Sequence, residues 1–192
     1  MTRAALLAGL IAVVSNAEAS RWRSALGAGG EATYSDAVGA SPRLTARGAL
    51  LVMRVERWSS WRWAAVVEIE GQLSGPVTVG GESTPIRDSA LASAAVAVGT
   101  GIRLGPRITG RLVVGGGRIY YFSPGVIGDT GFVPMAAIAI SARLAASPRW
   151  ELEVVARVSG IVSEEPTATR TTAAAALLVE VAFGPRSERS PR

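Results

Sequence analysis

Residues 61–74 read WRWAAVVEIEGQLS, and the chemistry changes at almost every step. Trp61, Trp63, Ala65, Val67, Ile69 and Leu73 share one face. Arg62, Glu68, Glu70, Gln72 and Ser74 share the other. Successive side chains of a strand point to opposite faces, so the stretch reads as a strand with one apolar wall and one mixed wall. Residues 150–159 repeat the pattern, with Trp150, Leu152, Val154, Ala156 and Val158 against Glu151, Glu153, Arg157 and Ser159. Near the end of the chain Leu177, Val179, Val181 and Phe183 alternate with a face that carries Glu180.

Working outward, the same rhythm divides the chain into eight strands: Trp22–Tyr34, Leu44–Arg57, Trp61–Ser74, Ala90–Leu104, Ile108–Phe122, Phe132–Ala145, Trp150–Val162 and Thr171–Phe183. Most exceed the roughly 9–11 residues that a tilted strand needs to cross a bilayer. Gly27, Gly29, Gly30 and Gly115 to Gly117 interrupt two of them and suit curvature or bulges in a small barrel. The connectors alternate in length. Those at 58–60, 105–107 and 146–148 are tight. Those near 35–43, 75–89, 123–131 and 163–170 are longer and rich in Gly, Pro, Ser, Asp and Thr. The registers these turns allow place Glu56 opposite Arg62 and Arg143 opposite Glu151, as cross-strand ion pairs.

Ahead of the first strand, Arg3, the apolar run Ala4 to Val14 and Ala17-Glu18-Ala19 read as a signal peptide over residues 1–19. The barrel then occupies 20–184, and the Arg/Ser-rich residues 185–192 read as a disordered tail. The chain has no Cys, which removes lipidation, disulfides and thiolate chemistry. It has no His, which removes Ser-His-Asp triads and imidazole metal sites. The net charge of +5 comes from Arg spread along the chain and mostly interleaved with Glu, so no nucleic-acid partner is expected. Carboxylate pairs remain at Glu68/Glu70, Glu151/Glu153 and, in a loop, Glu164/Glu165. Two carboxylates can serve a glycosidase. A lumen filled by side chains leaves no room for a sugar, however, and neighbouring Arg would neutralise them.

The direction of the apolar wall separates a membrane barrel from a soluble one. The mixed wall is poor in polarity for a water-facing surface, reading Ser93, Ala95, Ala97, Gly99, Gly101, Arg103 in one strand and Met135, Ala137, Ala139, Ser141, Arg143 in another. Small residues punctuated by charge suit a narrow lumen. The expected lumenal charge network is Arg54, Glu56, Arg62, Glu68, Glu70, Arg103, Arg111, Arg143, Glu151, Glu153, Arg157 and Glu180, with Arg23 and Glu31 beside it. The aromatics bank at two rims, Trp22, Trp58, Trp61, Trp63 and Trp150 at the tight-turn end, Tyr34, Tyr120, Tyr121, Phe122 and Phe132 at the other. Such girdles mark the two interfaces of a membrane barrel.

With these features the chain resembles the small eight-stranded bacterial outer-membrane β-barrels, the OmpA-like and OmpX-like group, over residues 20–184. The resemblance is architectural and rests on no diagnostic motif. It implies an all-β, eight-stranded antiparallel up-and-down transmembrane β-barrel in the bacterial outer membrane, with membrane lipids and the outer-membrane insertion machinery as partners. Barrels of this group typically end on an aromatic that the machinery reads, and Phe183 is the matching position, an ordinary girdle residue being the other reading. The chain departs from the pattern by carrying Gly184 to Arg192 beyond it. Enzymes of similar architecture use a His, so no catalysis, cofactor or metal is expected. The function expected is a structural or interaction role. Two alternatives stand beside it. One is a narrow ion or small-solute channel, whose conductance would fall on altering Arg62 or Glu68. The other is a soluble lipocalin-like barrel that holds an apolar ligand inside.

Overall fold

The computed structural model describes residues 22–38, 43–59, 62–80, 86, 88–124, 126–165 and 168–184. Residues 1–19, read from the sequence as a signal peptide, residues 185–192, read as a tail, and Trp61 lie outside them. Among the described residues ten strands form: β1 (Trp22–Val38), β2 (Leu44–Trp58), β3 (Trp63–Ser74), β4 (Thr78–Val79), β5 (Ala90–Arg103), β6 (Ile108–Ser123), β7 (Val126–Asp129), β8 (Val133–Ala146), β9 (Trp150–Glu165) and β10 (Ala168–Phe183). Eight are long and antiparallel, in the order β1-β10-β9-β8-β6-β5-β3-β2, and β1 pairs with β2 to close the ring. Closure satisfies the backbone of every long strand and leaves no edge, a requirement wherever no water can reach the main chain.

The short strands β4 and β7 were not legible in the sequence. They extend the walls at the long-loop end, where β4 pairs with β2 and β7 with β6. The last hairpin also differs. Glu164 and Glu165 belong to β9 and pair with β10, not to a loop. At the tight-turn end the main chain closes each hairpin on itself, Ser59 N–H donating to Trp63 O at 3.0 Å, Leu104 N–H to Ile108 O at 3.0 Å and Ser147 N–H to Trp150 O at 2.8 Å.

Strand parity decides what faces where. Among the described side chains, odd residues of β1, β5, β6, β9 and of β8 up to Arg143, and even residues of β2, β3 and β10, turn inward. The outward face carries Leu26, Leu51, Val67, Ile69, Val98, Leu112, Ile138, Leu177 and Val179, and Ile138 is 60 % exposed. The inward face holds the buried charges, and Arg54 is only 2 % exposed. Water-soluble proteins sort the other way, with ionised side chains almost never fully buried unless paired. The direction of the side chains therefore removes the lipocalin-like alternative, in which the apolar wall would face inward.

Small residues let the ring close. A Cβ on Gly99 would stand 2.0 Å from the carbonyl oxygen of Leu112 and 2.6 Å from the Cα of Val113, both backbone atoms of the paired strand. On the outside, the ring edge of Phe132 lies where a Cβ of Gly116 would sit, so an aromatic covers the bare backbone of a glycine.

Candidate functional site: the charged lumen and the loop-end cup

The lumen divides into two halves. In the tight-turn half, Arg23 (β1), Arg54 and Glu56 (β2), Arg111 (β6), Glu153 (β9) and Glu180 (β10) converge. Arg54 lies 2.6 Å from Glu56 and 2.5 Å from Glu180. Arg23 reaches Glu153 at 2.5 Å, Glu151 at 2.8 Å and Glu56 at 3.5 Å. Arg111 approaches from the far side of the ring and lies 3.4 Å from Glu56, 3.7 Å from Glu153 and 3.5 Å from Glu180. Three guanidiniums face three carboxylates, so the layer is balanced, as a buried cluster of ions must be. Glu153 and Glu180 are directly opposite in the β9–β10 register. Like charges so placed repel, and Arg54 and Arg111 bridge them.

A second cluster sits on the next level towards the loops. Arg157 donates from Nη1 to Glu68 at 2.6 Å and from Nη2 to Glu70. The carboxylate pair Glu68/Glu70 is thus held by one guanidinium. Glu151/Glu153 similarly share Arg23.

The expected network meets the structure residue by residue. Arg54, Glu56, Glu68, Glu70, Arg111, Glu153, Arg157 and Glu180 are buried in the lumen, and Arg23 and Glu31 lie with them. Arg143 and Glu151 pair at 2.8 Å at the tight-turn rim. Their strand partners are nonetheless Glu153 and Ala146, because β8 bulges between Arg143 and Ala145 and shifts the register. Arg103 is half-buried, its guanidinium 4.7 Å from the centre of the Trp58 ring.

Arg62 is the correction. It sits in the β2–β3 turn with its side chain exposed, not in the lumen. β3 starts at Trp63, and Glu56 faces Val66 in register. A turn residue escapes the alternation, because parity holds only within a strand.

The aromatics need two corrections. Trp58 is buried, not part of the outer girdle, and its Nε1–H donates to Glu56 Oε2 at 3.1 Å. It has the same parity as Arg54 and Glu56, so it turns inward with them. Tyr121 turns inward for the same reason, two residues from Ile119. Trp22, Trp63 and Trp150 occupy the outer surface at the tight-turn end, with Arg57 stacked 5.5 Å over Trp22. Tyr34, Tyr120, Phe122 and Phe132 lie outside at the other end. Phe183 is exposed on the outer wall of the last strand, opposite Trp150 and Ser24.

The long-loop half is not filled. A cavity of about 620 Å³ opens there above the Arg157 cluster. Its polar wall includes Glu31, Thr33, Ser35, Gln72, Ser93 and Thr172. Its apolar wall includes Leu44, Leu91, Ile119, Tyr121 and Ile161. Side chains were expected to fill the whole bore. Short ones such as Ser93, Ser159 and Ala174 leave this half hollow, while Arg and Glu occupy the other.

No family model and no curated protein matches the chain. Solved structures share its fold. Neisserial surface protein A (NspA) superposes with a TM-score of 0.55 at 12 % identity, over 84 % of this chain and 96 % of that one. The outer membrane protease OmpT from Escherichia coli superposes with a TM-score of 0.50 at 6 % identity, over 87 % of this chain and 97 % of that one. At such identities the likeness is one of fold, that of the outer-membrane β-barrels, as the resemblance in the sequence implied.

Proposed function

We propose that this chain is an integral outer-membrane protein whose barrel is closed by ions in its tight-turn half, with a structural or interaction role and no catalysis. The observation that carries the reading is the inversion of polarity across the wall. Leu51, Val98, Ile138 and Leu177 are all more than half exposed, whereas Glu56 and Arg54 are essentially sealed. An exposed apolar band this continuous is costly in water and stable in lipid. Strands of 12 to 17 residues are long enough for the crossing. Against catalysis stands the state of the carboxylates, because Glu68, Glu70, Glu151 and Glu153 are each bound to a guanidinium. The test is mobility on SDS gels of the outer-membrane fraction, with and without boiling. A faster-running unboiled band, with none of the protein in the soluble fraction, is the expected result. An unshifted band from soluble protein refutes the reading.

A channel through the same lumen is the second reading. Buried nitrogens of Arg54, Arg111 and Arg157 lack an aligned hydrogen-bond partner, which leaves donors for a thread of water or a passing anion. Single-channel recording in planar bilayers distinguishes the two. A sealed layer gives no resolved steps, and steps that change in Arg111→Gln establish the channel.

A further inference from the structure

The cup at the long-loop end is lined by three carboxylates, Glu31, Glu70 and Asp129, and by the guanidinium of Arg170. Glu31 lines it and is only 6 % exposed. Its Oε1 accepts a hydrogen bond from Thr33 Oγ1 at 2.9 Å. Among the described residues no guanidinium stands within ion-pair distance of it. Arg157 is committed to Glu68 and Glu70 through both of its terminal nitrogens. Glu31 and Glu70 thus line one cup, and of the two Glu70 holds a guanidinium, whereas the layer beneath is balanced.

A buried carboxylate that lacks a cation invites one, because desolvated charge is stable only when paired. The surroundings define which kind. Among the described residues no three Asp or Glu side chains are grouped so that they could hold a metal ion, which argues against a bare metal ion. The opposite wall is aliphatic and aromatic, from Leu91, Ile119, Tyr121 and Ile161. The volume of about 620 Å³ lies within the usual range for small organic ligands. The geometry points to a binding site for an amphipathic organic cation, an ammonium group on Glu31 with a hydrocarbon body against Ile119 and Tyr121.

Titration of the full barrel, refolded in lipid nanodiscs at pH 8, tests this with 2-phenylethylammonium and its neutral isostere 2-phenylethanol, read by saturation-transfer NMR and calorimetry. The amine binds saturably and the alcohol at least about tenfold more weakly, the scale set by losing one hydrogen bond to a charged group. Glu31→Gln keeps the shape and loses amine binding by a similar factor. Ser159→Phe fills the cup and loses it with Glu31 intact. Equal binding of amine and alcohol, undiminished amine binding in Ser159→Phe or in a folded Glu31→Gln, or no saturable binding by the parent overturns the site. Should Glu31→Gln fail to fold, the amine-to-alcohol comparison and Ser159→Phe decide. A heat-shifted barrel that binds no amine refutes the cup alone and leaves the membrane reading standing.

Discussion

Arg54→Met is the perturbation that asks most of the ion layer. Methionine keeps the apolar stem and removes the charge. Arg54 contributes the short contacts to Glu56 at 2.6 Å and Glu180 at 2.5 Å. After its loss Glu56 keeps Arg23 and Arg111 at 3.5 and 3.4 Å, and Glu153 keeps Arg23 at 2.5 Å. Glu180 is left with Arg111 alone, at 3.5 Å. One carboxylate therefore becomes under-compensated, not three. The expected cost is that of one broken buried pair, about 3–5 kcal/mol. Glu180→Gln in the same chain removes the excess negative charge and restores two guanidiniums against two carboxylates. The double variant is then less destabilised than the two single variants summed, by about 2 kcal/mol. Urea unfolding of the refolded barrel in lipid, followed by tryptophan fluorescence, measures all four corners of the cycle. An Arg54→Met variant within about 0.5 kcal/mol of the parent refutes a tightly coupled layer, and so does strict additivity in the cycle.

Three further outcomes are expected. Ile138→Arg, in the middle of the outer belt, costs about 2–4 kcal/mol in lipid, measured by the same unfolding, whereas Leu73→Arg near the loop end costs about 0–1 kcal/mol; equal costs would remove the lipid from the explanation. Gly99→Ala is destabilised by about 1–3 kcal/mol because its methyl meets backbone of the next strand, while Gly30→Ala, with open space around it, stays within about 0.5 kcal/mol of the parent. Trp58→Phe loses the indole bond to the Glu56 carboxylate and weakens the stacking of Arg103, and thermal melts of the folded form report a loss of about 1.5–3 kcal/mol.

The fold was legible because membrane strands repeat their chemistry every two residues over a dozen or more positions, as in residues 61–74. Parity also carried the positions of most lumenal charges. Rim position in the sequence puts Trp58 and Tyr121 in the girdles, whereas parity counted from Arg54 or from Ile119 turns both inward. Arg62 failed for the opposite reason. It lies one residue before β3 begins, where strand parity does not apply. The Arg143–Glu151 pair forms although the register behind it is shifted, because two long side chains span a bulge that sequence pattern does not reveal. β4 and β7 have two and four residues, too few to show a period. The cup was invisible for a volumetric reason. Residue types report which face is inward, but the gap left between short side chains across a ring emerges only when all eight strands are in register.

An apolar wall that meets lipid and a charged wall that does not must treat two tryptophans on opposite faces differently. Two single-tryptophan variants, one retaining Trp63 and one retaining Trp58 with the other tryptophans replaced by Phe, test it by fluorescence quenching in vesicles of lipid brominated near the upper acyl chain. Trp63, half exposed on the outer surface, is strongly quenched, and Trp58, sealed beside Glu56, is not. Strong quenching of Trp58, or none of Trp63, contradicts the orientation of the wall and the membrane barrel with it.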